Sequence, residues 1–346
     1  MRVLQAMAGA QYGGAEAFFT RLAIAFEKAG LTQKVVIRAD DARAKTLREG
    51  GVEPVQLPFG GKLDFKTGRA LKKEIKEFKP DIVLTWMNRA TGMCPKGDFV
   101  HVARQGGYYN MKYYRNCDHI VGNTDDIVEY LVKEGWPKER SHYLPNFVTA
   151  EQAEPLSRKT FYTPNTAPLI LALGRLHENK AFDVLLKAVA RVPGAYLWLA
   201  GEGPLRSELE ALAEKLSIKP RVRFLGWRED TPALFAAADL FVCPSRHEPL
   251  GNVVIEAWAQ GRPVIATDSL GPGTLIEPRV NGLLTPVDDD AALGAAIKWA
   301  VQNPHEADDL ARAGYEAYQR DFTEESVVKR YFDFFESILQ KQDEGA

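Results

Sequence analysis

Leu240-Phe241-Val242-Cys243-Pro244-Ser245-Arg246-His247-Glu248-Pro249-Leu250-Gly251-Asn252-Val253-Val254-Ile255-Glu256-Ala257 runs from a strand through a loop into a helix. Leu240–Cys243 is an apolar run of strand length. Pro249 and Gly251 interrupt regular structure, Asn252 can cap, and Asn252–Gln260 then reads as a mostly apolar helix. Pro263–Thr267 follows as another apolar run. The segment is therefore a β-α-β unit, and such units build parallel sheets. A helix that begins just after a glycine offers free backbone N–H groups and a positive dipole end, which suit a diphosphate. Gly251, Asn252 and Val253 would lie against that group. Glu248 on the loop and Glu256 on the helix lie eight apart. A carboxylate on the helix's first turn can accept hydrogen bonds from two vicinal sugar hydroxyls. The loop carboxylate can reach a sugar on the other side of the phosphates. This is the layout of a nucleotide-sugar site.

The same alternation extends in both directions. Upstream lie strand Leu169–Leu173, helix Ala181–Val192, strand Tyr196–Ala200, helix Leu205–Leu216, strand Val222–Leu225 and helix Thr231–Ala238. The first half reads as strands Val3–Met7, Lys34–Arg38, Ile82–Thr85, Val100–Ala103 and His119–Gly122, with helices at Ala15–Ala29 and Lys66–Lys79. The pattern predicts an α/β protein of two Rossmann-like, doubly wound domains, 1–150 and 166–320, with about six strands each. A length of 346 residues accommodates both. Thr149 to Pro168, with Pro155, Pro164 and Pro168, reads as the linker. A last helix, about 324–341, is expected to fold back over the first domain.

With 45% apolar and 26% charged residues the chain is an ordinary globular protein. No apolar run reaches the roughly 18 residues of a membrane span. The first residues read as a strand and not as a signal peptide. Three cysteines, Cys94, Cys117 and Cys243, without metal spacing, point to a reduced, cytoplasmic protein. Residues 1–160 carry 25 Lys/Arg and 19 Asp/Glu, net +6; residues 161–346 carry 19 and 27, net −8. A basic first half suits an anionic membrane surface or acceptor, whereas nucleic acid calls for a stronger excess. On helix 66–79, Leu71, Ile75 and Phe78 share one face. Arg69, Lys72, Lys73 and Lys76 share the other and can rest on lipid headgroups, as a peripheral protein at the inner face of the plasma membrane would.

Arg175 leaves a strand end, where open α/β sheets bind ligands, and Lys180 follows on the approach to a helix. Two cations there can neutralise a leaving diphosphate. Gly13 and Gly14 after the first strand let the backbone approach a phosphate or sugar. They do not complete a dinucleotide fingerprint. Tyr108-Tyr109-Asn110-Met111-Lys112-Tyr113-Tyr114-Arg115 offers aromatic faces and cations to an acceptor or a membrane interface. Asn88 and Arg89, just beyond another strand, should line the same cleft.

Together these segments resemble the retaining glycosyltransferases of family 4, which have the GT-B fold. The likeness covers nearly the whole chain. Gly13-Gly14-Ala15-Glu16 looks like that family's N-terminal glycine loop, and Gly174-Arg175-Leu176 with Lys180 like its phosphate clamp. Ala200-Gly201-Glu202-Gly203-Pro204-Leu205 and Val222-Arg223-Phe224-Leu225-Gly226 resemble its nucleotide-side loops, and Glu248 to Glu256 its pair of glutamates separated by seven residues. Gly261-Arg262-Pro263-Val264-Ile265-Ala266-Thr267 and Asn281-Gly282-Leu283-Leu284 resemble the segments that follow. Ala181 stands where the family usually has glycine, and Gly271-Pro272-Gly273-Thr274 replaces a more usual Gly-Gly run. Many members carry a histidine beside the donor sugar. The matching segment, Val100-His101-Val102-Ala103-Arg104-Gln105-Gly106-Gly107, places Arg104 or Gln105 there and reads His101 as a strand residue.

The resemblance implies two domains facing across a cleft, with the donor mainly on the second and a glycan or glycolipid acceptor on the first. It also implies transfer with retention and the leaving phosphate as base, in bacterial cell-surface polysaccharide or lipopolysaccharide assembly. Arg175 and Lys180 would stabilise the phosphate, Glu248 would orient the sugar and Glu256 would hold the ribose. No cofactor and no metal is expected. A GT-B nucleotide-sugar epimerase would use the same phosphate site without an acceptor. An NAD(P)-dependent oxidoreductase is the other alternative, because Asp40 ends the second strand, where such enzymes bind ribose.

Overall fold

The computed structural model describes residues 1–11, 13–60, 64–151 and 153–344, and it divides into two compact units. Unit 1 comprises 1–147 and 324–346, and unit 2 comprises 148–323.

Unit 1 runs β1 (Arg2–Met7), α1 (Gly14–Lys28), β2 (Thr32–Arg38), α2 (Asp41–Glu49), β3 (Pro54–Leu57), α3 (Phe65–Phe78), β4 (Ile82–Trp86), α4 (Met87–Met93), β5 (Val100–Gln105), β6 (His119–Gly122), α5 (Asp125–Lys133) and β7 (Ser141–Tyr143). Among the described residues its parallel sheet has seven strands in the order β3-β2-β1-β4-β5-β6-β7. The sequence pattern finds neither β3 nor β7. Both are edge strands of four and three residues, too short for a period to register, and β3 starts on a proline.

Unit 2 continues with β8 (Leu169–Leu173), α6 (Phe182–Ala190), β9 (Tyr196–Ala200), α7 (Arg206–Lys215), β10 (Val222–Gly226), α8 (Thr231–Ala237), β11 (Leu240–Cys243), α9 (Asn252–Ala259), β12 (Val264–Thr267), α10 (Leu270–Leu275), β13 (Leu283–Thr285), α11 (Asp290–Gln302) and α12 (Pro304–Asp321). Its sheet is parallel in the order β10-β9-β8-β11-β12-β13. Order reverses beside β8 here and beside β1 in unit 1, so each sheet has a Rossmann-like switch point.

The stretch expected as a linker is packed onto unit 2. Arg158 donates to the Ala237 carbonyl and pairs with Asp239 at 2.7 Å, and Trp198 donates to Thr163 at 2.9 Å. Proline content reports irregular backbone, not freedom. The final helix, α13 (Glu324–Glu344), belongs to unit 1. Its Val327, Tyr331, Phe335 and Ile338 are buried, and Tyr331 meets Phe26 of α1 edge-on at 5.5 Å between centroids.

Candidate functional site

The carboxyl ends of β8, β9 and β10 are stitched into one surface. Gly174 N–H donates to the Ala200 carbonyl (3.0 Å), Leu176 N–H to Glu202 (2.9 Å) and Gly201 N–H to Gly226 (2.8 Å). Only glycine fits at 201: its φ is +144°, and a Cβ there would stand 1.9 Å from the Gly174 oxygen. The chain then rises to Arg175, which is exposed and has no hydrogen-bond or ion partner among the described residues. It next turns tightly through 178–180 to Lys180. A Cβ at Gly174 would lie 3.3 Å from the Lys180 stem, so the glycine leaves room for that side chain.

Lys180 is paired within the protein. Its ammonium donates to the Glu248 carboxylate, a residue only 8% exposed. Ser245 Oγ lies 3.5 Å from the same carboxylate oxygen. The two loops are held in register by Arg246, which the sequence reading missed. It donates to the Glu178 carbonyl (2.8 Å) and pairs with Asp183 (2.9 Å) and Asp288 (2.5 Å). The hydrogen bond to Asp183 raises the Arg246 pKa; burial pushes the Asp183 carboxyl up, but Arg246 outweighs it and holds it low. Burial, with Glu248 nearby, pushes the Cys243 thiol up to about 11, so it stays a neutral wall of the site.

Helix α9 starts at Asn252, capped by Gly251 in the left-handed region (φ 66°) with no side-chain cap hydrogen bond. A Cβ on Gly271 would stand 2.6 Å from the Gly251 nitrogen, and Gly271 N–H donates to the Glu248 carbonyl (2.7 Å). Gly271, part of the departure from the family pattern, is therefore needed here. Asn252, Val253 and Glu256 are half-buried. Glu256 is the fifth residue of α9, a turn further along than the first-turn position expected for a sugar-binding carboxylate. Trp227, next after β10, is 75% exposed, a large aromatic face left in solvent beside the stitched loops. Among the described residues there is no cluster of three or more His, Cys, Asp or Glu that could hold a metal.

Unit 1 treats its own loops differently. The Glu16 carboxylate folds back over the glycine loop and accepts from Ala10 N–H (2.8 Å). A Cβ at Gly13 would lie 2.2 Å from it, so Gly13 makes room for Glu16; above Gly14 the space is open. Arg43 grips the same loop through the carbonyls of Ala10 (2.7 Å) and Gln11 (3.1 Å). Asp40, the residue behind the oxidoreductase alternative, caps α2 and pairs with Arg43 at 3.4 Å.

Arg104 is buried at 3% exposure. It donates to Tyr331 (2.9 Å) and to Asn146, and its guanidinium lies 4.7 Å from the Phe18 ring and 4.6 Å from Trp86. These contacts commit it to anchoring α13, in place of the sugar contact expected. Gln105 is fully buried, with its carbonyl oxygen unpartnered. His101 is a strand residue, as read; burial first lowers its pKa, and it hydrogen-bonds Thr85 at 3.0 Å.

The tyrosine cluster divides. Tyr114 is core and donates to Asn88 (2.5 Å), while Tyr108 is 43% exposed and donates to Asp126. Tyr109 is half-buried, with its carbonyl accepting from Tyr130 (3.0 Å). Arg89 donates to the Phe59 carbonyl (2.7 Å). Between these residues Met87 adopts φ 71°, a strained backbone for a long side chain at the end of β4. Arg69, Lys72, Lys73 and Lys76 are all exposed on α3. No helix among the described residues is long and apolar enough to cross a membrane.

Comparison with known proteins agrees with this geometry. The family model for glycosyl transferases group 1 matches residues 167–303, and that for glycosyltransferase family 4 matches 12–152. The lipopolysaccharide core biosynthesis glycosyltransferase LpsE of Rhizobium meliloti is 37% identical, covering 94% of this chain and 96% of its own. LpsD of the same organism is 32% identical over 99% of this chain and all of its own. The crystal structure of Anabaena Alr3699/HepE in complex with UDP superposes with a TM-score of 0.85 at 20% identity, over 97% of this chain and 100% of that one. The architecture is GT-B.

Proposed function

The chain belongs to the group 1 and family 4 glycosyltransferases, and on that premise we propose that it moves a sugar from a nucleotide-diphosphate sugar to a glycan or glycolipid acceptor in lipopolysaccharide core assembly. The names of LpsE and LpsD support the pathway, and the UDP bound by HepE supports a nucleotide donor. The observation that carries the reading is the free Arg175 and the Lys180–Glu248 pair at the carboxyl ends of β8 and β11, the switch point of the unit 2 sheet.

In this reading the diphosphate lies at the uncapped first turn of α9, against Gly251, Asn252 and Val253. Arg175 and Lys180 stabilise the charge that develops as the sugar–phosphate bond breaks. Glu248, held by Lys180, orients the transferred sugar. Glu256 accepts from the ribose hydroxyls, and Trp227 stacks on the base. The acceptor oxygen bonds to the anomeric carbon on the face the phosphate leaves, and the phosphate oxygen takes the acceptor's proton, so configuration is retained. The two cations supply what a divalent metal would, so turnover is metal-independent. Asn88, Arg89, Tyr108 and Tyr109, beside the strained Met87, receive the acceptor on unit 1. The basic face of α3 rests on the cytoplasmic membrane surface.

A thermal-shift panel of nucleotide sugars tests this. The true donor at 100 times its dissociation constant stabilises by about 2.7 kcal/mol. Product NMR should give the donor's anomeric configuration, and chelator should leave the rate unchanged. Stabilisation by no nucleotide sugar would overturn the reading, and donor conversion without acceptor would replace transfer with epimerisation.

A further inference from the structure

A cavity of about 720 Å³ opens in unit 1 at the amino ends of β5 and β6. Its volume falls within the usual range for small-molecule sites. None of the acceptor residues proposed above, Asn88, Arg89, Tyr108 and Tyr109, lines it.

Three cations line it, Lys96, Arg115 and Arg140, against one carboxylate, Asp118. Lys96 and Arg115 are exposed and have no partner among the described residues. Arg140 is fixed in place. Its guanidinium donates to the carbonyls of Asp118 and Cys117 and lies 4.7 Å from the Trp136 ring. Carbonyls hold a guanidinium without cancelling its charge, so the cation stays available to an anion. Asp118 is occupied structurally, accepting from His101 N–H at 2.8 Å. Phe99 and Ile338, both largely buried, form an apolar part of the wall.

Among the described residues the local balance is three positive groups against one negative. The buried groups do not supply the missing charge. Burial pushes the Cys94 thiol up to about 12 and lowers the His101 pKa, so both stay neutral near pH 7. A pinned guanidinium, a second guanidinium and an ammonium around a ligand-sized hollow suit a tetrahedral dianion, and the apolar wall suits the ring that carries it.

We propose that this cavity is a second, non-catalytic binding site of unit 1 for a phosphate ester, carried by a glycan or by a lipid headgroup. It does not depend on the donor reading. The test is calorimetry on the full chain, with glucose 6-phosphate and inorganic phosphate as probes. In parallel, vesicles containing phosphatidic acid, whose headgroup is a phosphate monoester, are sedimented with the protein.

Arg115→Glu and Lys96→Glu change exposed side chains and should fold normally, as checked by circular dichroism. Each should weaken glucose 6-phosphate at least about tenfold. If the variants weaken the soluble esters alone, the phosphate is a glycan's. If they weaken vesicle binding, it is a lipid's. Ester and vesicle binding that are both absent, or both indifferent to the two substitutions, would overturn the site.

Discussion

The carboxyl edges of the two sheets begin from one topology and use their charges in opposite ways. In unit 1 the charged groups are spent inside: Glu16 on the glycine loop, Arg43 on two carbonyls and Asp40, Arg104 on Tyr331 and Asn146. In unit 2, among the described residues, Arg175 is unspent, the side chains of Lys180 and Glu248 pair with each other beside a serine, and a tryptophan stands in solvent. A Rossmann-like edge is thus only a place where a site can form. Whether it binds a charged ligand depends on whether its ions already have partners.

The contrast is broken most easily at its cations, Arg175 and Lys180 in unit 2 and Arg104 in unit 1. Arg175→Ala and Lys180→Ala should each lower turnover at least about a hundredfold. They should differ in stability. Arg175 is free, so its loss should leave the melting temperature unchanged. Loss of Lys180 strands the Glu248 carboxylate and should lower it. Near-normal turnover in both would remove them from the mechanism. In unit 1, Arg104→Met removes the hydrogen bonds that Arg104 donates to Tyr331 and Asn146 and should cost about 2 kcal/mol in denaturant unfolding. Turnover per folded molecule should stay within a few-fold; an intact fold with lost turnover would return Arg104 to the chemistry. A smaller effect is expected from Trp227→Ala, which should weaken nucleoside diphosphate about tenfold if the ring stacks on the base. Trp227→Phe should keep most of the affinity; equal affinity in the alanine variant would end that role.

The regular elements were legible because parallel strands buried on both faces leave continuous apolar runs, as at Leu169–Leu173 and Leu240–Cys243. Edge strands β3 and β7 were not legible, nor was the packing of residues 148–168 on unit 2, which rests on Arg158 and Thr163 reaching residues far along the chain. In the candidate site, residue types and spacing pointed to Arg175, Lys180, Glu248 and Glu256. Pairing did not show: nothing local says that Lys180 meets Glu248, that Arg246 braces their loops or that Arg104 turns inward. Arg246 pairs with two carboxylates far along the chain, Asp183 and Asp288, and nothing in its local sequence marks either.

Ala181, where the family usually has glycine, shows the smallest effect. It sits in the left-handed region at φ 51° yet is fully buried. Ala181→Gly relieves about 1 kcal/mol of backbone strain and loses a buried methyl worth about 0.8 kcal/mol, so stability should hardly move. A large change either way would show that one of these terms is misjudged.

The central claim is that unit 2 holds the donor, with its two glutamates dividing the work. Calorimetry of the bare nucleoside diphosphate against the native chain, Glu256→Gln and Glu248→Gln tests it most directly, alongside steady-state kinetics. Glu256→Gln should weaken binding about tenfold, because a ribose contact is kept from ground state to product. Glu248→Gln should leave affinity intact or tighten it, since Lys180 is released to the phosphates, while turnover falls because the sugar is held loosely. Equal loss of nucleotide affinity in both variants, or no loss in either, would contradict the account.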